Sequence, residues 1–488
     1  MNTPSHSPPG PRPLETLLAA AERALLAWDD GAHLDDLLPA TAGQATLRHG
    51  LFALFRRRAE VDWLIARFAA RPPRPRLLRL LRWTFVQILF QDGVRPEAAA
   101  NAAVAYVRRR YGQAEAGFLN AVLRAAVAAG REPRLAPLAA AAPAAVRRNL
   151  GPELEAAWRA GRSEAQLDAL VDLLQAEAPL TFRLRPGAPP PDPAWEAGRL
   201  EFGEENVECR RQNVGDRRGE IEDGMGRESE CDTTSDGGLL NSTVFWRCGC
   251  PERLLASAAF ARGDVYVQDP STSLAPGLVA ARPGERIADL CAAPGGKALL
   301  LAEAMAGENN GTDGNNGNNG NNGKDGKGGG AGLLLCADRS AARLQRLREN
   351  LARCAVRIPV QLLAADAARP PLAAGQWDAV LLDVPCSNSG VIRRRPDARW
   401  RFTRAKVAEL AVLQARLLDG AAPLLRPGGR LVYSTCSIEP EECGDLARAL
   451  ARKNPRLKLV RDELTLPGGA DEPLRWRDGG YTAIFDVR

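Results

Sequence analysis

The chain is nearly without histidine. Of its 488 residues only three are histidine, namely His6, His33 and His49, all near the N-terminus. That excludes a Ser-His-Asp triad, a histidine-activated cysteine and a His-rich metal site from the C-terminal half. Long apolar runs are missing as well, and nothing is long enough to span a bilayer. The first stretch, "MNTPSHSPPGPRP", has no apolar core of the kind a signal peptide needs. A cytoplasmic protein without membrane contact is expected. Ten cysteines in this length are too sparse for a disulfide framework and fit a reducing compartment. Cys248 and Cys250 form a C-x-C pair, but no second pair with zinc spacing completes it, so no metal is expected.

What is present is length, enough for two or three domains, and arginine. The net charge is only +6, but Arg56-Arg57-Arg58, Arg108-Arg109-Arg110 and Arg393-Arg394-Arg395 form basic clusters suited to a polyanion. Residues 1–12 carry no pattern and read as disordered. From 13 to 140 apolar residues recur at helical spacing (Leu17, Leu18, Ala21, Leu25, Leu26; then Leu51, Leu54, Phe55), which predicts an all-α domain. Residues 141–264 read as a linker and a small subdomain with short helices, interrupted over about 200–243 by a polar tract without usable periodicity. From 265 to 488 strand and helix patterns alternate, which predicts a parallel sheet of βαβ units. An Asn/Gly-rich insertion, residues 308–332, interrupts it and can bury nothing. The strands are expected at Arg286–Leu290, Leu333–Ala337, Val360–Ala364, Ala379–Leu382, Arg430–Ser434 and Thr482–Val487.

In this half, "ERIADLCAAPGGKALLLAEAM" reads as strand, glycine loop and helix, with Gly295 and Gly296 allowing close backbone approach to a ligand and Lys297 opening the helix. It lacks the spacing of a Walker loop. An acidic residue after the second strand holds ribose hydroxyls in nucleoside-binding folds. Asp338 stands there, beyond the usual offset of roughly 20 residues, and the Asn/Gly insertion accounts for the excess. Asp366 follows the third strand, where an adenine amino group could bind, and Asp383 ends the fourth. Carboxylates after successive parallel strands line up along one sheet edge, so a nucleoside-cofactor site is expected there.

Two thiols sit at the same edge. Cys386 in "LLDVPCSNSG" and Cys436 in "VYSTCSIEPE" follow strands four and five, in polar loops where a thiolate can act as nucleophile. Cys291, Cys336 and Cys354 read instead as buried and inert. With no histidine available, activation must come from loop dipoles, Lys297 or a basic cleft. Carbon methylation of a pyrimidine wants this arrangement: a thiolate adds at C6 of cytosine, an acid near N3 offsets the developing charge, and C5 then takes a methyl group. Asp383 suits that activation of the base if it is protonated or shares a proton with it. The residues alone do not rank the two thiols.

These motifs resemble the RNA cytosine-C5 methyltransferases of the Sun/Fmu family. "CAAPGGK" (Cys291, Ala292, Ala293, Pro294, Gly295, Gly296, Lys297), "LLDVPCSNSG" and "STCS" (Ser434–Ser437) are similar to its S-adenosylmethionine loop and its two cysteine motifs. The resemblance implies S-adenosyl-L-methionine as cofactor, held by Cys291–Lys297, Asp338, Asp366 and Asp383. It implies Cys436 as nucleophile and Cys386 as the residue assisting product release. DNA cytosine methyltransferases use the P-C cysteine with a later E-N-V motif. Glu205-Asn206-Val207 occurs here, but upstream of the cofactor loop and inside the polar tract. "FLNAVLR" (Phe118–Arg124), "GVIRRRPDARW" (Gly390–Trp400) and "GDVYVQDPSTSL" resemble the RsmB branch, whose N-terminal domain is NusB-like and RNA-binding.

The fold class implied is therefore multidomain: an all-α NusB-like domain followed by an α/β, Rossmann-like class I methyltransferase domain. The activity implied is methylation of cytosine-967 of 16S ribosomal RNA, by a monomer. Departures from the pattern are Arg395 where histidine is usual, "FRLRP" after the linker, Asn388-Ser389 in the first cysteine loop, and the two insertions. The same chemistry on tRNA or another rRNA site, and a catalytically silent RNA-binding assembly factor, stay open beside this reading. Arg393, Arg394, Arg395 and Arg399 are expected to contact phosphates. Trp400 either stacks on a base or packs its own loop onto the core.

Overall fold

The computed structural model describes residues 13–32, 34–37, 45–91, 93–129, 141–200, 243–307, 332–469 and 475–488. The N-terminal segment 1–12, most of the polar tract and nearly all of the Asn/Gly insertion lie outside the described residues, as do Glu205-Asn206-Val207. The chain divides into two compact units that do not follow chain order. The first is Met1–Gln175 with Arg394–Thr403, and the second is Ala176–Arg393 with Arg404–Arg488.

The first unit is helical, as its apolar spacing predicts. Helix Pro75–Leu89 is its centre: Pro75 opens it at the position where a missing N–H costs nothing, and Leu77, Leu80, Leu81, Trp83, Phe85, Val86 and Ile88 are all buried. A helix buried on every side from Trp83 to Leu89 must be wrapped by others there, while Arg76, Arg79 and Arg82 line its open face. Pro13–Asp29, Ala45–Arg56, Arg58–Phe68, Pro96–Tyr111 and Gln113–Ala129 supply the wrapping, through Leu18, Leu51, Phe55, Leu64, Val107 and Leu119.

A segment from far along the chain, Arg394–Thr403, completes this unit. The Arg399 guanidinium is fully buried and donates to the carbonyls of Asn149 (3.3 Å) and Leu174 (3.2 Å) and to Gln175 Oε1 (3.3 Å). Trp400 packs against the helical core and donates from Nε1 to the Phe55 carbonyl at 2.7 Å. Arg401 stacks on Trp28 and donates to the carbonyls of Trp28 and Gly31, both at 3.0 Å. Trp28 Nε1 in turn donates to Asp397 at 3.2 Å.

The second unit holds two sheets. A small antiparallel sheet orders β2 (Gly198–Arg199), β3 (Phe245–Cys248), β1 (Leu180–Leu184) and β4 (Val265–Val267) around Phe182, Trp195 and Leu254. The large sheet has seven strands: β5 (Arg286–Asp289), β6 (Leu333–Asp338), β7 (Val360–Ala364), β8 (Trp377–Asp383), β9 (Leu425–Thr435), β10 (Leu457–Thr465) and β11 (Gly480–Val487). Their order is β10-β11-β9-β8-β5-β6-β7, with β9-β8-β5-β6-β7 parallel. The expected all-parallel sheet is corrected here, because β11 runs antiparallel to both β9 and β10, which makes the sheet mixed. The strand pattern missed β10 because Lys458, Arg461, Asp462 and Glu463 interrupt its apolar residues, as suits a strand at a sheet edge.

Alternation along the parallel strands builds a core on each face. Ile287, Ala379, Leu381 and Val432 face one cluster, which includes Leu299 and Leu347 of helices Gly296–Ala306 and Ala341–Arg353. Ala288, Val380, Leu382, Leu431 and Tyr433 face the other, which includes Leu417 and Leu418 of helix Arg404–Ala421. Every parallel strand therefore ends at the same edge.

Removing the Arg399 side chain strands two buried carbonyls and the partly buried Gln175 Oε1, and leaves a void. Arg399→Ala is expected to cost about 2–3 kcal/mol, read as a lower urea midpoint.

Candidate active site at the carboxyl edge of the sheet

Strand order arranges the site. From β7 to β9 the edge carries Asp366, Asp338, Asp289, Asp383 and Cys436 in spatial sequence, spread over four strand spacings or roughly 19 Å. Ligands of open α/β sheets bind outside these strand ends.

At the centre is the loop after β5. Gly295 adopts φ +113°, and a Cβ there would collide with Leu347. Only glycine suits both demands. The neighbouring helix Ala341–Arg353 fixes the loop carbonyls: Arg343 donates to Ala293 O (2.6 Å) and Asn350 to Pro294 O (3.0 Å). The Ala292 N–H donates to the Ala337 carbonyl of β6 at 2.9 Å. Lys297, in the first turn of helix Gly296–Ala306, donates to Asp383 Oδ2 at 2.8 Å. Burial opposes the lysine charge, but the attraction of Asp383, their hydrogen bond and the nearby Cys436 more than offset it, so its pKa is raised.

Asp338 is buried and accepts from the Ser340 N–H (2.9 Å), with Arg343 at 3.3 Å. Asp366 is exposed and caps its own turn through the Ala368 N–H at 2.9 Å. Asp289 was passed over in the sequence. It is 1% exposed, and neither carboxyl oxygen has a hydrogen-bond partner. Desolvation, then the Asp383 charge, push its pKa up to about 8. A partnerless buried carboxylate at the foot of a glycine loop is short of a donor or a cation. The sequence signal was there: an aspartate closing the apolar strand "RIAD".

The two cysteine loops meet. Cys386 Sγ and Cys436 Sγ lie 2.9 Å apart, and Cys436 also faces Asn388 Oδ1 at 3.2 Å. The hydrogen bond with Cys436 lowers the Cys386 pKa, against burial and the Glu442 charge. Desolvation raises the thiols of Cys291, Cys336 and Cys354. Beneath the pair lies Glu442, fully buried and also missed, because "EPEEC" reads as a solvated acidic turn. It accepts from the Ser387 N–H (3.0 Å), Ser437 Oγ (2.6 Å) and Gln414 Nε2 (2.9 Å). Gly390 closes the arrangement, donating to the Cys436 carbonyl at 3.0 Å and accepting from the Gly479 N–H at 2.9 Å, an approach that leaves no room for a Cβ.

Two of the arginines expected at phosphates are elsewhere. Arg393 is fully buried: its guanidinium donates to the Gly468 carbonyl (3.0 Å) and the Arg477 carbonyl and stacks 4.0 Å from the Trp476 ring. Arg399 is fully buried among its carbonyl acceptors. Neither presents charge to solvent, so both are corrected to structural roles. Arg394 is partly exposed and Arg395 exposed.

A mixed seven-stranded sheet with a glycine loop after its first parallel strand and acids after the next three defines an α/β methyltransferase unit. Residues 329–472 match the family described as 16S rRNA methyltransferase RsmB/F, and residues 18–128 match the NusB family. The chain thus carries a domain of the RsmB/F methyltransferase family and a domain of the NusB family. Ribosomal RNA small subunit methyltransferase B of Salmonella newport (strain SL254) is 37% identical over 234 residues, which is 46% of this chain and 48% of that protein. The protein of the same name from Cronobacter sakazakii (strain ATCC BAA-894) is 36% identical over 215 residues, 44% of each. The chain spans about half the length of these curated relatives. The solved structure titled "Crystal Structure of PH0851" is similar in fold, with a TM-score of 0.65 at 21% identity, covering 97% of this chain and 99% of that one. Methyltransferases of this family depend on S-adenosylmethionine. The residues present fit it, since a ligand with a cationic end answers the orphaned Asp289.

The raised pKa of Asp289 has a stability consequence. Its folded value, about 8, lies above the ordinary 3.8. The stability it contributes is complete below the unfolded pKa and is lost as pH rises through 8. Urea denaturation of the ligand-free protein at pH 6 and pH 9 should show wild type losing more stability than Asp289→Asn.

Proposed function

We propose that the chain methylates C5 of a cytosine in 16S ribosomal RNA, with S-adenosylmethionine as methyl donor and a cysteine adduct at C6. The observation that carries this is the pair of thiols 2.9 Å apart beside the Lys297–Asp383 ion pair, at the edge where Asp289, Asp338 and Asp366 stand. Bound S-adenosylmethionine supplies an electrophilic methyl group on a sulfonium. In this reading Asp338 takes the ribose hydroxyls, Asp366 the adenine amino group, and Cys291–Lys297 with Asp289 and Asp383 the remainder.

Cys436 is the nucleophile. The charge of Lys297 acts on Cys436 and favours its thiolate, which answers the need for an activator in a region without histidine. The Cys436 sulfur bonds to C6, and the ring electrons displaced make C5 nucleophilic. Asp383 in the acid role needs a proton near N3. Asp383 shares that proton with the base, and Lys297, hydrogen-bonded to it at 2.8 Å, offsets charge there. After methylation the Cys386 thiolate takes the C5 proton, the C5–H electrons restore the C5–C6 double bond, and Cys436 leaves C6 as a thiolate. Cys386, beside that bond, assists release.

The NusB-family unit supports RNA as the substrate and the RsmB branch's cytosine-967 as the target, with Arg394 and Arg395 as phosphate contacts. A base within a stem would be flipped out to reach the thiols. No described helix is long and apolar enough to cross a membrane.

The test is a denaturing gel of 16S rRNA or tRNA transcripts incubated with S-adenosylmethionine and each protein. Cys386→Ala should accumulate a protein–RNA adduct on 16S rRNA. Cys436→Ala should form none and lose roughly three orders of magnitude or more in methyl transfer. The reverse pattern makes Cys386 the nucleophile, adducts on tRNA alone change the substrate, and no adduct or methyl transfer by wild type defeats the proposal.

A further inference from the structure

The proposed mechanism uses two thiols but leaves unexplained why two separate loops hold them in contact. Cys386 follows β8 and Cys436 follows β9, and the backbone bond from the first loop to Cys436 comes from Gly390, four residues past Cys386. The residues that follow them do converge. Ser387 and Ser437 each stand one position after a cysteine, and both reach the same carboxylate. Glu442 Oε1 accepts from the Ser387 N–H at 3.0 Å and from Gln414 Nε2 at 2.9 Å. Glu442 Oε2 accepts from Ser387 Oγ at 2.5 Å and Ser437 Oγ at 2.6 Å. The two hydroxyls are themselves 3.1 Å apart.

The support runs on beneath. Gln414, fully buried, also donates to the Pro385 carbonyl at 2.9 Å, just before Cys386. The Tyr433 hydroxyl of β9 donates to the Glu442 carbonyl at 2.6 Å. Ser389 Oγ accepts from the Ile438 N–H at 3.0 Å, a second tie between the loops. A carboxylate with no exposed surface and no ion pair to a described cation is costly to bury, and several donors on one anion are what make it tolerable. An amide in its place has fewer acceptor sites and two N–H groups that would oppose the same donors.

We propose that Glu442 is a positioning residue that sets the separation of the two thiols, by anchoring the residue after each cysteine to one buried carboxylate. The inference rests on the two-thiol mechanism above for its functional meaning, but its geometry is independent of substrate. Glu442 lies beneath the pair and touches neither sulfur's reacting face.

The groups around the pair allow a test by the sign of a shift. Cys386 faces Cys436, Glu442 and the Thr435 hydroxyl, and the titrations of Tyr433 and Cys443 also feel it. Cys436 faces Asn388 and the charge of Lys297, which is paired with Asp383. The Cys436 hydrogen bond is the largest influence on Cys386 and lowers its pKa, whereas the Glu442 charge raises it. Loosening the loops and deleting the charge therefore have opposite effects.

The experiment is iodoacetamide alkylation of Cys386 across pH 6 to 10, followed by peptide mass spectrometry, on the full chain without RNA or donor. Wild type should show a midpoint below the ordinary thiol value. Glu442→Gln should move it upward, slowing alkylation at pH 7.5 by about tenfold through the smaller thiolate fraction. Ser437→Ala, which removes one donor and no charge, should move it the same way by less, and it decides the matter if Glu442→Gln fails to fold. A downward or absent shift in folded Glu442→Gln, or no shift in Ser437→Ala where Glu442→Gln cannot be folded, overturns the proposal. The upward shift with no RNA adduct formed by wild type would uphold the anchoring while defeating the methylation reading.

Discussion

The ion pair between Lys297 and Asp383 is the contact around which the carboxyl edge is organised. Asp289, Asp338 and Asp383 end three adjacent strands, and Lys297 is the cation bonded directly among them. Taking carboxylates out of water is costly unless charge or donors answer them. Asp338 has its turn and Arg343, Asp383 has Lys297, and Asp289 has only the more distant Lys297 charge and the backbone at Cys291. The free protein holds this edge in an unrelieved state. A cationic ligand would gain from the deficit, and Lys297 sets positive charge near Cys436.

The same logic explains why the thiol pair can stand without histidine. The hydrogen bond between the two sulfurs favours a thiolate on one of them, and Lys297 favours negative charge at Cys436. The price is rigidity: both loops must be held still, and the buried carboxylate of Glu442 and the glycine contact between Gly390 and Gly479 do that. The reactive apparatus thus depends on residues with no chemistry of their own.

How much of this could be read in the sequence follows from what each signal reports. Apolar runs with polar ends located the parallel strands, and Asp338, Asp366, Asp383, Cys386 and Cys436 were legible because each follows such a run by no more than four residues. Asp289 closes the apolar run "RIAD", which marks it as an edge residue, but nothing local says that its carboxylate has lost its water. Glu442 hid in an acidic turn, because its donors come from Ser387 and Gln414, tens of residues away. Arg393 and Arg399 misled for the same reason. An arginine cluster reads as a polyanion surface, and only the carbonyls of Gly468 or Leu174, fixed by tertiary structure, turn a guanidinium inward. The antiparallel edge was missed because β10 alternates charged and apolar residues too irregularly to register as a strand.

The segment Arg394–Thr403 bears on where such a chain can be cut. Three peptide links rather than one join the helical unit to the sheet-bearing unit, at 175–176, 393–394 and 403–404. A single truncation that removed residues up to 175 would leave Arg399, Trp400 and Arg401 behind without the carbonyl acceptors they meet in the helical unit.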